Sequence, residues 1–117
     1  MPTTELLPLT DTSAICCAPL TRETIPADQA LLLAQRLKAL ADPTRLRLIS
    51  IVAASEGQEA CVCDMTDPVG LSQPTVSHHL KTLVDAGFLT RSKRGTWSYY
   101  RLVPGSLDAV ADLLLTA

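Results

Sequence analysis

Cys61 and Cys63 stand just ahead of the segment Ser72-Gln73-Pro74-Thr75-Val76-Ser77-His78-His79-Leu80, with eight residues between Cys63 and Ser72. Paired thiolates select soft or thiophilic ions. The second segment has what a helix needs to enter a DNA groove: short polar side chains near its N-terminus, where the backbone lies close to base edges. Gln73, Thr75, Ser77 and His78 meet that need, because Val76 and Leu80 fix the opposite face inward. Gln pairs bidentately with adenine, and Ser and Thr bond to several base edges. Lys81, one turn further, suits a phosphate. Arg91, Lys93 and Arg94 fall in or beside a hairpin tip, a place for backbone or minor-groove contact. A second sulfur pair, Cys16-Cys17, lies far upstream. The order of these pieces points to a grip on DNA that is set by something soft bound to sulfur.

Each piece also has a plainer reading. A buried cysteine is a common small hydrophobe, and a polar helix face is usually just solvated. Only the ordered set favours DNA. His78 and His79 diverge by about 100° on a helix and cannot chelate one ion together. His78 reads as a DNA or solvent contact, and His79 as a boundary residue. Residues two apart on a helix point about 200° apart, so joint ligation by Cys61 and Cys63 requires Cys61 to lie before or at the N-cap. About ten residues follow Cys17 before the first helix, an extended reach of up to ~35 Å. That is enough to bring Cys16 and Cys17 to the third helix of the same subunit or of a partner. A zinc site of four cysteines is a weaker reading, since neither pair has the usual zinc-knuckle gap. A tail or intersubunit disulfide acting as a redox switch is another. No cysteine sits in a Cys-x-x-Cys motif or beside an evident base, which argues against an enzyme.

These residues need positioning elements. Residues 1 to 25 read as a flexible tail carrying the cysteine pair, and 26 to 117 as one DNA-binding and dimerisation domain. A first helix spans about Pro26 to Ala41, with Leu32, Leu33, Leu37 and Leu40 at helical spacing. Asp42-Pro43 restarts the chain as N-cap and first helical residue. The second helix, about 43 to 55, is apolar on two faces and so expected to be buried, with Gly57 placed to cap it. A short third helix, about Val62 to Asp67, ends at Pro68-Val69-Gly70. The fourth opens at Ser72 as N-cap, with Leu71 and Val76 as a hydrophobic staple and Gly87 as its left-handed terminus. Phe88 to Lys93 and Thr96 to Val103 read as two strands around an Arg94-Gly95 turn. A fifth helix, about 105 to 116, carries Leu107, Val110, Ala111 and Leu114 on one stripe. The fold class is therefore mainly α with a small β-hairpin: a winged helix-turn-helix. Surplus apolar surface on the first and fifth helices points to a homodimer whose two reading helices lie about 34 Å apart on a pseudo-palindrome of double-stranded operator DNA.

Composition is consistent with this. The 117 residues suit one domain, and the 47% hydrophobic content is enough for a core that is almost free of aromatics. Net charge is -2, which gives no hint of nucleic acid. Its distribution does: from His78 to Arg101 five cations face one acid, Asp85, a local balance of +4. The N-terminus lacks a basic signal region, and no apolar run is long enough for a bilayer. A cytoplasmic protein without a membrane partner is expected, with its cysteines reduced rather than bridged.

The stretches Leu37 to Arg47, Cys61-Val62-Cys63-Asp64, Leu71 to Leu80 and Arg94 to Tyr100 together resemble the ArsR/SmtB family of metal-sensing repressors. The resemblance covers about residues 27 to 116. It implies a dimeric winged helix that sits on its operator and leaves when an ion binds, with no organic cofactor. Compact arsenite sites of the family resemble Cys-Val-Cys-Asp-Leu-Cys, but Thr66 stands here where the third cysteine would be. By resemblance, tail cysteines complete such a site, giving Cys16, Cys17, Cys61 and Cys63 as ligands for arsenite or antimonite as inducer. Cadmium or lead sensors of the family use a similar sulfur set and are the alternative, as is a thiol-redox regulator. The family's zinc, cobalt and nickel sites use Asp and His on the last helix, where only Asp108 and Asp112 are present.

Overall fold

Asp42 decides where the second helix begins. Its carboxylate accepts from the Arg45 backbone N–H at 3.1 Å, and Pro43 takes a first-turn position that has no N–H to satisfy. The computed structural model describes residues 18–116. In chain order it contains α1 (Ala27–Leu40), α2 (Pro43–Ala54), a 3-10 turn (Glu56–Gln58), β1 (Glu59–Cys61), a second 3-10 turn (Val62–Asp64), α3 (Thr66–Val69), α4 (Gln73–Asp85), β2 (Leu89–Arg94), β3 (Trp97–Leu102) and α5 (Ser106–Leu114). It is a mainly helical winged helix-turn-helix with a small antiparallel sheet in the order β1-β3-β2.

The core lies where α2, α4 and the sheet meet. Leu48 and Val52 of α2, Val76, Leu80 and Leu83 of α4, and Phe88 and Leu89 entering β2 are all at most 1% exposed. Burial of each such side chain is worth ~1.5–3 kcal/mol relative to exposure. The inward stripe expected on α4 is thus the stripe observed. Gly87, at φ 90°, ends that helix in the left-handed region, and the Phe88 N–H returns to Leu83 O at 3.0 Å.

Several local expectations are revised. The third helix is broken: Val62–Asp64 forms a 3-10 turn, Met65 intervenes, and α3 then runs through Pro68 and Val69 to Gly70 at φ 70°. Pro68 is tolerated because it sits within the first turn, where no helical N–H bond is lost. The Ser72 hydroxyl donates to Thr75 Oγ1 at 3.0 Å instead of capping a backbone N–H. The hairpin turn is centred on Gly95-Thr96, since Arg94 pairs with Trp97. This puts the positive φ on glycine, at 65°, and relieves Arg94 of it. Gly57 lies inside the first 3-10 turn and is not the cap of α2, which ends at Ser55. Helix α2 is not buried all round either, because Leu46 is 53% exposed. On α5, Val110 is buried and Leu107 and Leu113 are partly covered, while Ala111 and Leu114 face outward.

The strand β1 was not anticipated. It pairs Glu59 with Arg101, Ala60 with Tyr100 and Cys61 with Tyr99. The segment before α1 is also tied down. The Leu20 N–H donates to Leu113 O at 3.0 Å, and the Thr21 hydroxyl donates to Leu115 O.

Candidate nucleic-acid interface and sulfur pair

Helix α4 presents its N-terminal half outward. Gln73, Thr75 and His78 are exposed and Ser77 is half-buried, while Val76 and Leu80 on the other face are fully buried. Lys81 extends the exposed face and pairs with Asp85 at 2.8 Å, both side chains being largely in solvent. Such a pair is worth only a few tenths of a kcal/mol, so a phosphate can displace it. Beside α4 runs a groove of about 370 Å³, lined by Ser77, Lys81, Asp85, Arg91 and Ser98. The groove joins the helix face to the hairpin and brings Ser77, Lys81 and Arg91 of the expected DNA-facing residues to one concave surface; Gln73, Thr75, His78, Lys93 and Arg94 lie outside its lining.

The hairpin carries Arg91, Lys93 and Arg94, all exposed. Arg91 Nε donates to Ser98 Oγ across the two strands at 3.2 Å. Lys93 forms no ion pair among the described residues. Arg94 is engaged more deeply: its Nη2 donates to Glu59 Oε2 at 2.7 Å, and its guanidinium lies 4.3 Å from the centre of the Tyr99 ring. His79 is half-buried and 3.2 Å from Arg45 Nη1, which matches its reading as a boundary residue.

The sulfur pair lies at the junction of β1 with the helix-turn-helix. Cys61 is extended (φ -77°, ψ 144°) and N-caps the 3-10 turn, its Sγ accepting from the Cys63 N–H at 3.2 Å. This meets the condition for joint action, since Cys61 lies at the cap and outside any helix. The Cα atoms are 5.1 Å apart and the two sulfurs are joined as a disulfide, a separation within the range such bridges need. The expectation of reduced, unbridged cysteines is revised at this pair. Cys61 is 3% exposed, whereas Cys63 faces solvent. Val62 and Met65 bury the turn in the core at 2% and 0%.

Among the described residues no third Cys, His, Asp or Glu joins the pair to form a metal-binding cluster. Cys16 and Cys17 lie outside the described residues. The Leu20–Leu113 bond shortens the lever assumed for them: two residues lie between Cys17 and Leu20, three Cα–Cα steps that span at most ~11 Å.

Sequence reasoning missed Glu59 and counted Arg101 only as one cation of the basic stretch. A three-residue strand has no period to detect, and the role of Glu59 depends on its register against β3.

With the fold in view, known proteins decide the family. The profile described as "Bacterial regulatory protein, arsR family" matches residues 42–91, from the cap of α2 into β2. An HTH-type transcriptional regulator of Methanocaldococcus jannaschii is 38% identical over 81 residues, covering 69% of this chain and 89% of that protein. This chain belongs to the arsR family. The arsenic resistance transcriptional regulator ArsR1 of Pseudomonas putida is 49% identical over 76 residues, spanning 62% of this chain and 58% of that one. Among solved structures, a homodimeric winged helix-turn-helix DNA-binding domain of a possible ArsR-family regulator from Mycobacterium bovis is similar at a TM-score of 0.59 and 28% identity, covering 79% of this chain and 82% of that one. This ArsR-family chain is accordingly a DNA-binding transcriptional repressor and not an enzyme. No helix among its described residues is long and apolar enough to cross a membrane.

Proposed function

We propose that this repressor is a cytoplasmic homodimer that holds double-stranded operator DNA and releases it when trivalent arsenic or antimony is bound by cysteine thiolates. Gln73, Thr75, Ser77 and His78 read base edges, while Lys81, Arg91, Lys93 and Arg94 meet the backbone. Cys61 and Cys63 supply two sulfurs, and Cys16 or Cys17 completes the three that arsenite takes. The observation that carries this reading is the place of Cys61. It ends β1 at the cap of the turn, so its sulfur faces that of Cys63, on a strand hydrogen-bonded to the hairpin. Relatives that include arsenical resistance operon repressors support the choice of ion. Exposed Leu31 and Leu32 on α1 with Leu114 on α5 and Leu115 after it support dimerisation through these helices. To weaken DNA binding a hundredfold, the ion needs about 2.7 kcal/mol of preference for the released state, which is small for a multi-thiolate site.

A second reading is favoured by the disulfide itself. A bridged Cys61–Cys63 pair offers no thiolate, so oxidation and metalloid binding exclude each other, and a thiol-redox regulator would use the same residues.

One titration separates these readings. Fully reduced protein on a labelled duplex, chosen by in-vitro selection with this protein, is titrated separately with arsenite, cadmium, lead, zinc and peroxide. Release by arsenite at the lowest concentration is expected. Release by cadmium or lead below arsenite would replace the ion, and release by peroxide alone would establish the redox reading in its place.

A further inference from the structure

Glu59 occupies a position that neither the reading helix nor the sulfur pair accounts for. It stands on β1, two residues before Cys61 and opposite Arg101 of β3. Its Oε2 accepts from Arg94 Nη2 at 2.7 Å and lies 3.7 Å from Arg101 Nε. The Glu59 side chain is 18% exposed, against 53% and 58% for the two arginines. A carboxylate so far withdrawn from water has to be paired, and the cations that pair it belong to the hairpin. Arg94 is held from a second side by the Tyr99 ring, and Tyr99 is the register partner of Cys61. Two alternate rungs of the β1–β3 ladder, on either side of Ala60–Tyr100, therefore tie the hairpin arginines to the strand that ends in the sensor cysteine.

We infer that Glu59 is an internal competitor of DNA phosphate. In the free protein it takes the Nη2 donor of Arg94 and holds Arg101 at ion-pair distance, and a backbone phosphate competes with its carboxylate for their charge. The chemistry is alike: both rivals are anionic oxygens drawn to the same two guanidiniums, and at Arg94 both accept from its N–H donors. The contact keeps two cations in place while lowering the charge that the hairpin offers to DNA of any sequence. The inference rests on the reading of the hairpin as the phosphate-facing element.

The test compares wild type, Glu59→Gln, Asp64→Asn, Arg94→Ala/Arg101→Ala and the triple variant Glu59→Gln/Arg94→Ala/Arg101→Ala on the selected duplex, across a series of salt concentrations. Asp64→Asn controls for loss of a negative charge nearby on an exposed residue. Circular dichroism checks that each variant is folded. Glu59→Gln is expected to bind DNA about threefold to tenfold more tightly near 0.15 M salt. Its salt slope should steepen by up to ~0.9 per freed phosphate contact. In the background lacking both arginines, the same change should give less than about a twofold gain. Unchanged or weaker binding by Glu59→Gln would overturn the inference. A gain matched by Asp64→Asn, or one that persists without the arginines, would do so too, because it would be a general field effect. Arsenite plays no part in this measurement, so a wrong inducer leaves it intact. Wild-type protein that selects no duplex would sink the hairpin reading and the competitor with it, whereas wild-type binding with an inert Glu59→Gln sinks the competitor alone.

Discussion

Arg45 of α2 reaches the reading helix through His79, with its Nη1 3.2 Å from the imidazole Nδ1. A guanidinium only donates, so Nδ1 is the acceptor in this contact. The same side chain donates from Nε to Ala39 O at 2.6 Å and from Nη2 to Lys38 O at 3.3 Å. One fork thus fastens the end of α1 to α4. Lysine keeps the charge, but its three donors sit on one nitrogen and do not reproduce bonds that leave from Nε, Nη1 and Nη2. Arg45→Lys should cost ~1–2 kcal/mol in urea unfolding, and His79→Ala less. Equal unfolding midpoints for wild type and Arg45→Lys would show that the fork does not stabilise the fold.

Asp42 links stability to acid. Its acceptance from the Arg45 backbone N–H, aided by the positive charge of Arg45, holds its pKa below the ordinary carboxylate value. A depressed native pKa means that the contribution is present above the unfolded pKa and is lost as pH falls through the native one. Asp42→Ala should lower Tm by a few degrees at pH 7. The gap between the two proteins should close progressively below about pH 4. A gap that stays constant down to pH 2 would remove the ionised cap as its cause.

The two leucine classes should separate cleanly. Leu80 is fully buried on α4, and Leu80→Ala should cost ~2–5 kcal/mol. Leu114 is 43% exposed, so Leu114→Glu should leave the unfolding of a single subunit nearly unchanged. On the proposed dimer through α1 and α5, it should instead give a monomer in sedimentation velocity at micromolar concentration. A Leu114→Glu protein that remains dimeric would move the interface elsewhere.

Burial splits the two cysteines by accessibility. In reduced protein, Cys63 should alkylate with iodoacetamide well before Cys61, which is 3% exposed. Cys61→Ser places a hydroxyl in the core and should cost about 1–2 kcal/mol, whereas Cys63→Ser should be nearly neutral. Both should abolish release by arsenite while leaving DNA binding without ion intact. Normal release by either variant would take that sulfur out of the site.

The interface residues should divide by what they touch. Gln73→Ala should relax preference at one base position, with a discrimination loss of ~1–3 kcal/mol. Lys93→Ala should weaken binding to all sequences alike and reduce the salt slope by about one unit. A sequence-specific effect of Lys93→Ala would place the hairpin tip in a groove and off the backbone.

Much of this was readable from residue spacing. Helix α4 announced itself because Val76, Leu80 and Leu83 recur at helical intervals and Gly87 ends them. The start of α2 was legible for the same kind of reason, in Asp42-Pro43. What escaped depended on register or on side-chain competition. Glu59-Ala60-Cys61 is too short to show alternation, yet becoming a strand is what puts Cys61 at the cap and Glu59 on the arginines. The hairpin turn slipped by one residue because glycine accepts the left-handed position that arginine resists. Ser72 looked like a backbone cap, but its hydroxyl is spent on Thr75.

The strand order β1-β3-β2 leaves β2 as an outer strand, and beyond Leu89 every one of its residues is exposed. A naked six-residue edge is a template for adding a strand from another molecule. Arg91, Lys93 and Arg94 make that addition unfavourable between identical chains, because each would bring the same positive charges to the seam. The cations proposed to draw this protein to a polyanion thus also keep its copies from stacking edge to edge. Their wholesale neutralisation would be felt first as loss of solubility.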